Sequence, residues 1–186
     1  MPRVRISDAK LAGRRQEFFN DFLRPILPPS QSRQGGHIWV ARQPTLGGGG
    51  IALAAHDGNR TLNYRDWRFP TYLQGFRAQY FEIWMPTDRR KPQQWYLQQA
   101  YLNIFQDIKE YLCLHSDPEE PDAPKAHYKQ GPHLHIKVKI EDPISKSHIA
   151  LADGYINKAL ASEHDLFRAM RLGVGLIRDE ILSRFE

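Results

Sequence analysis

Cysteine is almost absent from the sequence, with Cys113 the only one among 186 residues. A single thiol excludes an internal disulfide and also a zinc site made of cysteine alone. Cys113 lies within an apolar pattern and has no basic neighbour in the sequence. We therefore interpret it as an inert core thiol rather than as a nucleophile.

Long hydrophobic runs are also lacking. No stretch approaches the roughly 18 apolar residues that a membrane-spanning helix requires. The basic residues near the N-terminus, in M-P-R-V-R-I-S-D, are not followed by an apolar segment, which argues against a signal peptide. These absences predict a cytoplasmic protein with no membrane partner.

The charge balance is moderately basic. Lys and Arg number 26 against 21 Asp and Glu, and the formal net charge is +5 at pH 7. Four of the acids fall in the proline-rich segment 116–131, which we predict to be a mobile loop, so the rest of the chain is more basic still. Such a chain can bind a polyanion such as nucleic acid. The alternative is a surface charged for solubility.

Three segments have apolar side chains at the three- and four-residue spacing typical of helices. The first spans about 7–27, with Ser7 or Asp8 as its cap, and the second spans about 87–115. The third begins at Ser162, whose spacing from Asp165 resembles a capping box.

Several further segments predict strands. The runs 37–43 and 51–56 read as a hairpin, because the glycines between them lead into a strand, whereas a phosphate-binding loop leads into a helix. Segment 72–85 has no purely polar face and is expected to be a central strand. Strict alternation over 133–141 predicts a half-buried strand, and 148–152 is its expected antiparallel return.

Together these elements predict an α+β fold. We expect a single domain over residues 1–186, with an antiparallel β-sheet of about five or six strands packed against two long helices.

Glu82 interrupts the apolar residues of the predicted central strand. A carboxylate with Tyr80 and Trp84 on the same face must find a partner or shift its pKa. Arg77 and Lys137 are the partners that the sequence suggests.

The strand that begins at His133 carries the most reactive polar row of the sequence. Its polar face is predicted to hold His133, His135, Lys137, Lys139 and Glu141. Two histidines two residues apart on a strand point the same way, as metal ligands often do. The candidate third ligands are His148, His127 and Glu141. The alternative is a solvated face, with both histidines bonded to loop backbone.

A second polar candidate is the segment 60–69, in which arginines are interleaved with aromatic residues. Arginine and aromatic side chains can hold phosphates and stack on bases. We therefore predict Arg65 and Arg68, together with Lys137 and Lys139, as anion- or nucleic-acid-binding residues. The alternative is that the rings anchor a loop whose arginines are solvated.

Three functions fit these features. The first, which we favour, is a cytoplasmic module that binds nucleic acid or a partner protein. The second is a metal-dependent or phosphate-processing enzyme, a hydrolase or phosphoesterase. Its catalytic and metal-binding candidates are His133, His135, His148 and Glu141, and its cofactor would be a divalent metal. The third is a subunit of a homo- or hetero-oligomer. The sequence leaves the question of enzymatic activity open.

Overall fold

The computed structural model describes residues 4–14, 19, 23–29, 38–45, 49–90, 93–119, 121, 131–136, 147–150 and 162–186. Within them, nine strands form one antiparallel sheet. The strands are β1 (Arg5–Ser7), β2 (Trp39–Pro44), β3 (Ile51–His56), β4 (Phe69–Pro70), β5 (Phe76–Pro86), β6 (Gln94–Gln106), β7 (Lys109–Ser116), β8 (His133–Ile136) and β9 (Ser147–Ala150). The helices are α1 (Asp8–Gly13) and α2 (Glu163–Leu176), and α2 continues into a π-helical turn (Ile177–Ile181) and a 3₁₀ turn (Leu182–Phe185).

The order of the strands in the sheet largely follows their order in the sequence. Its main order is β2-β3-β5-β6-β7-β8-β9, with β1 added beside β6 and β4 beside β5. Every pair is antiparallel, so short turns suffice to connect most neighbours.

The predicted fold class, with five or six strands and two long helices, is wrong. The segment 87–115 forms β6 and β7 instead of a helix. The two strands meet in a tight turn at Asp107 and Ile108, where Asp107 adopts a φ of 56°. Five residues of the segment are aromatic, a class favoured in strands, and β6 pairs along its length with β5. Pairing of β6 on both sides outweighs the helical spacing of its apolar residues.

The N-terminal helix is shorter than predicted. Ser7 caps it, as expected, by accepting a hydrogen bond from the Lys10 N–H, but α1 covers only Asp8–Gly13. Gly13 is a poor helix former, and Arg14 behind it turns inward to bury its guanidinium.

Other predicted elements are confirmed. The hairpin is β2 and β3, with Trp39 opposite His56, and β9 is the antiparallel return of β8. The Ser162 hydroxyl accepts a hydrogen bond from the Asp165 N–H at 3.2 Å, which is the predicted N-terminal cap of α2. The predicted loop 116–131 and the predicted strand 133–141 lie partly outside the described residues.

The sheet buries side chains on both faces. We call the side against which α2 packs the helix face, where Gly173 of α2 approaches Leu114 of β7. The opposite side is the loop face, where Trp67 of the segment 57–68 packs against Phe81 and Ile83 of β5. β5 is therefore covered on both sides, as predicted for a central strand. In the part of the chain that the structure describes, no helix has the length and apolar character needed to cross a bilayer.

Candidate metal centre

Three histidines meet on the loop face of β7 and β8. Leu134 of β8 is buried in the main core on the helix face, so its neighbours His133 and His135 point to the loop face. His115 of β7 lies directly opposite His133 in the strand register and shares that face. The strand pairing thus brings a third histidine to the predicted pair.

The three imidazoles are close enough to bind one ion. One ligand nitrogen from each of His115, His133 and His135 lies within 4.8 Å of the others. His115 Nε2 and His135 Nε2 are 2.6 Å apart, and the ring centroids of His115 and His133 are separated by 3.9 Å. Zinc–nitrogen bonds of about 2.0–2.1 Å in tetrahedral geometry imply nitrogens roughly 3.3–3.4 Å apart. An ion would replace the hydrogen bond between the two Nε2 atoms, and these two nitrogens would move apart to reach that spacing.

Two of these histidines have a polar neighbour at the other ring nitrogen. His133 Nδ1 is hydrogen-bonded to the Gly131 carbonyl oxygen at 3.0 Å, and His115 Nδ1 lies 3.2 Å from Asp117 Oδ2 at an angle that is not that of a hydrogen bond. A proton on each Nδ1 leaves an Nε2 lone pair, because a neutral imidazole carries a single N–H. Histidines that bind metals commonly have such carboxylate or carbonyl partners.

Tyr101 of β6 supports this arrangement. Its ring stacks on His115 with centroids 4.5 Å apart, and its hydroxyl donates a hydrogen bond to Asp117 Oδ1 at 3.3 Å. Burial, together with the Asp117 carboxylate, raises the pKa of Tyr101 well above its usual value. Tyr101 therefore remains a neutral hydrogen-bond donor that holds Asp117 beside His115.

The donor set indicates a transition-metal ion. Three imidazoles suit Zn²⁺, Cu²⁺, Fe²⁺ or Ni²⁺, whereas Mg²⁺ and Ca²⁺ prefer oxygen ligands. A site with three protein ligands is typical of catalytic zinc, because it leaves a fourth position for water or substrate. His115 and His133 are buried, with 5% and 1% of their surface exposed, so bulk water is largely kept from them.

The histidine that the structure places beside His133 and His135 is His115, which the sequence analysis did not name. His148 lies opposite His135 in the register, but its side chain is outside the described residues. His127 and Glu141 also lie outside them. His115 was missed because its segment was predicted to be a helix. The alternation of Leu112, Leu114 and Ser116 with Cys113 and His115 was the pattern that could have indicated it.

The predicted anion-binding residues differ in how freely they reach solvent. Arg68 Nη1 donates to the carbonyl oxygens of Arg65 and Trp67, and its guanidinium lies 3.9 Å from the centroid of the Phe105 ring. Arg68 is thus engaged within the fold. Arg65 is exposed and lies against the rings of Tyr64 and Phe81. Lys137 and Lys139 lie outside the described residues.

Glu82 is fully buried on the helix face, and its partner is Arg14 rather than Arg77. Arg14 Nε and Nη2 donate to its two oxygens at 2.8 and 3.0 Å, and Arg14 Nη1 also contacts Glu163 of α2 at 2.7 Å. Arg77 instead pairs with Asp57. Lys137, the other suggested partner, lies outside the described residues.

Two further donors complete this ion pair. The Tyr80 hydroxyl and Trp84 Nε1 donate to Glu82 at 2.6 and 2.8 Å. Burial, followed by the charge of Glu82, raises the pKa of Tyr80, so this phenol keeps its proton. Burial alone would lower the pKa of Arg14, but Glu82 raises it overall. The network is closed and satisfied, which indicates a structural role.

Comparison of the chain with protein-family models, with curated proteins and with solved structures found no match.

Proposed function

We propose that the protein is a metal-dependent hydrolase whose ion, of the zinc class, is bound by His115, His133 and His135. The single observation that supports this proposal is the approach of three imidazole nitrogens to within 4.8 Å of one another on adjacent strands. The contacts of His115 with Asp117 and of His133 with the Gly131 carbonyl add the orienting partners expected of ligands.

Each residue then has a defined task. The three histidines hold the ion, Asp117 orients His115, and Tyr101 holds Asp117 in place. When bound, an ion of this class lowers the pKa of a coordinated water to about 7 and polarises the substrate oxygen. Hydrolysis is the reaction class that these two effects favour most directly.

Elemental analysis tests the metal site. The full chain is purified without chelator and without a histidine tag, and zinc, copper, iron, manganese and nickel are measured against protein concentration. We expect about one equivalent of one transition metal, as a three-histidine site implies. The variants His133→Ala and His135→Ala should lose it.

His164→Ala is the matched control, because His164 lies exposed on α2, away from the loop face. Circular dichroism must show that each variant is folded. Wild-type protein that remains metal-free after incubation with micromolar Zn²⁺ would overturn the proposal.

Catalysis is tested separately with bis(p-nitrophenyl) phosphate and p-nitrophenyl acetate. We expect zinc-loaded protein, but neither the chelated protein nor the His133→Ala variant, to release p-nitrophenol. A metal-loaded protein inactive on both esters would contradict the hydrolase assignment and leave metal binding intact. The favoured sequence-based function, a module that binds nucleic acid or protein, remains a prediction.

A further inference from the structure

A cavity of about 630 Å³ opens on the loop face, the same face of the sheet that carries the candidate metal centre. We infer that this cavity binds the base of a nucleotide, and that a nucleotide phosphoester is the substrate class of the metal centre. The inference deepens the proposed function and rests on it for the chemistry, but not for the binding.

The composition of the cavity fits a flat heteroaromatic ring. Ile83 and Met85 of β5 contribute apolar surface, and Tyr64 contributes an aromatic ring. The side-chain amides of Gln43, Gln98 and Gln99, with their donors and acceptors, can hydrogen-bond the edge of a base. Apolar surface with a few polar groups is the usual composition of a small-molecule site.

The charge of the residues that line the cavity favours the binding of an anion. Arg65 carries its positive charge, and no carboxylate occurs among the described residues that line it. The guanidinium of Arg65 lies 5.9 Å from the centroid of the Tyr64 ring. An arginine beside an aromatic ring can pair with a phosphate while the ring stacks on the base. A basic chain of net charge +5 reinforces this preference.

The wall that carries Tyr64 and Arg65 is held in place by hydrogen bonds. Asn63 Oδ1 accepts from the Arg65 N–H at 3.0 Å, and Gln79 Nε2 donates to the Arg65 carbonyl oxygen. Asn103 Nδ2 donates in turn to Gln79 Oε1 at 2.7 Å, and Trp67 Nε1 donates to the Thr61 carbonyl oxygen at 2.9 Å. These bonds place the ring and the cation before any ligand arrives, which lowers the entropic cost of binding.

A row of rings joins the cavity to the metal centre. Tyr64 contacts Phe81 with ring centroids 5.5 Å apart, Phe81 stacks on Tyr101 at 5.3 Å, and Tyr101 stacks on His115 at 4.5 Å. Phe81, Tyr101 and His115 are also direct cross-strand neighbours on β5, β6 and β7. The two strand spacings from Phe81 to His115 amount to about 10 Å, and neither residue lines the cavity, so the path from the cavity is longer. A base in the cavity would therefore reach the histidines through a phosphoester that lies well beyond the base, at the far end of the nucleotide or in its neighbour.

The reaction implied is hydrolysis of that ester. The oxygen of water forms a bond to phosphorus, the bond between phosphorus and the ester oxygen breaks, and the proton of water passes to the leaving alkoxide. The step needs no oxidant or reductant.

Calorimetric titration tests the binding. The probes are the four ribonucleoside 5′-monophosphates and two single-stranded hexamers, of adenylate and of uridylate, each added to the full chain in the presence of chelator. We expect at least one probe to bind. Tyr64→Ala should weaken that binding about 5- to 150-fold, the effect of losing a base-stacking ring. Arg65→Glu should also weaken it, through the reversed charge.

Two variants serve as controls. Arg89→Ala removes an equally exposed cation in the turn after β5, outside the cavity, and should leave the affinity unchanged. Arg171→Ala removes an exposed cation of α2, which packs on the opposite face of the sheet, and should also leave the affinity unchanged. Tighter binding of a hexamer than of every monophosphate would identify single-stranded nucleic acid as the source of the nucleotide. The reverse order would identify free nucleotides.

The outcomes separate this inference from the proposed function. Absence of binding by all probes at millimolar concentration, or equal losses in Arg65→Glu and Arg89→Ala, would overturn the inference, even with a loaded metal site. Binding that depends on Tyr64 and Arg65 in a protein that takes up no metal would support the nucleotide site and overturn the hydrolase proposal.

Discussion

The sharpest prediction distinguishes His115 from His148 as the third ligand of the metal centre. The sequence suggested His148, whereas the structure brings His115 within ligand distance of His133 and His135. Replacement of His115 by alanine should therefore weaken zinc binding strongly, and the same replacement at His148, whose side chain lies outside the described residues, tests whether that residue also contributes.

The magnitude follows from the number of ligands. Zinc binding by four protein ligands is worth about 10–16 kcal/mol at neutral pH, or roughly 2.5–4 kcal/mol for each ligand. His115→Ala should therefore raise the dissociation constant by about 10²- to 10³-fold. Asp117→Asn removes only the partner that orients His115, and the expected loss is about 10- to 100-fold. A larger loss in His115→Ala than in Asp117→Asn is specific to the observed geometry.

Competition with a chromophoric zinc chelator measures all three affinities. Circular dichroism and urea unfolding of the metal-free proteins show whether the variants keep the fold, so that a loss of affinity is not confused with unfolding. A loss in His148→Ala as large as that in His115→Ala would refute a ligand set limited to the three clustered histidines. Unchanged affinity in His115→Ala would refute the site itself.

Three further predictions concern stability. Glu82→Gln should cost about 3–5 kcal/mol in urea unfolding, because it removes the buried counter-charge of a guanidinium; a loss below about 1 kcal/mol would contradict this reading. Gly173→Ala should lower the free energy of unfolding by about 1–3 kcal/mol, since its Cβ would come within 2.5 Å of Leu114 Cδ2. Gly175→Ala is the control, because nothing lies within 4 Å of its added Cβ, and it should instead stabilise α2 by about 0.5–1 kcal/mol. A similar change in stability at both positions would argue against the close contact of Gly173 with Leu114. Burial lowers the pKa of His56 in the folded protein. Below pH 6.5 the unfolded chain therefore binds a proton at His56 that the folded chain does not, and the free energy of unfolding should fall as the pH drops. Urea midpoints at about pH 8 and pH 5 should differ less in His56→Gln than in the wild type, and equal differences would contradict the assignment.

Local patterns in the sequence predicted some elements well. The alternation after His133 identified β8, and the capping pair of Ser162 and Asp165 identified the start of α2. In both cases, the features that specify the element lie within a few neighbouring residues. The histidine pair of β8 was found for the same reason, since its spacing alone implies a shared face.

Long-range pairing determined the features that the sequence analysis missed. The turn at Asp107 and Ile108 contains neither glycine nor asparagine, so the β6–β7 hairpin had no strong turn motif. The error concealed His115, whose role depends on its position opposite His133. The sequence analysis likewise did not name Arg14 as the partner of Glu82, because the two residues lie 68 positions apart in the chain.

The ion network at Glu82 also bears on the order in which the chain is made. Arg14 is synthesised before both of its acidic partners, Glu82 of β5 and Glu163 of α2. The strand that leads into α1, β1, pairs with β6, so the sheet can hold Arg14 beside Glu82 once β6 has been made, before α2 exists to cover that face. Glu163 of α2 is synthesised last, so its contact with Arg14 forms only after the rest of the network has been made. The residue that follows the first helix therefore provides part of the surface on which the last helix docks.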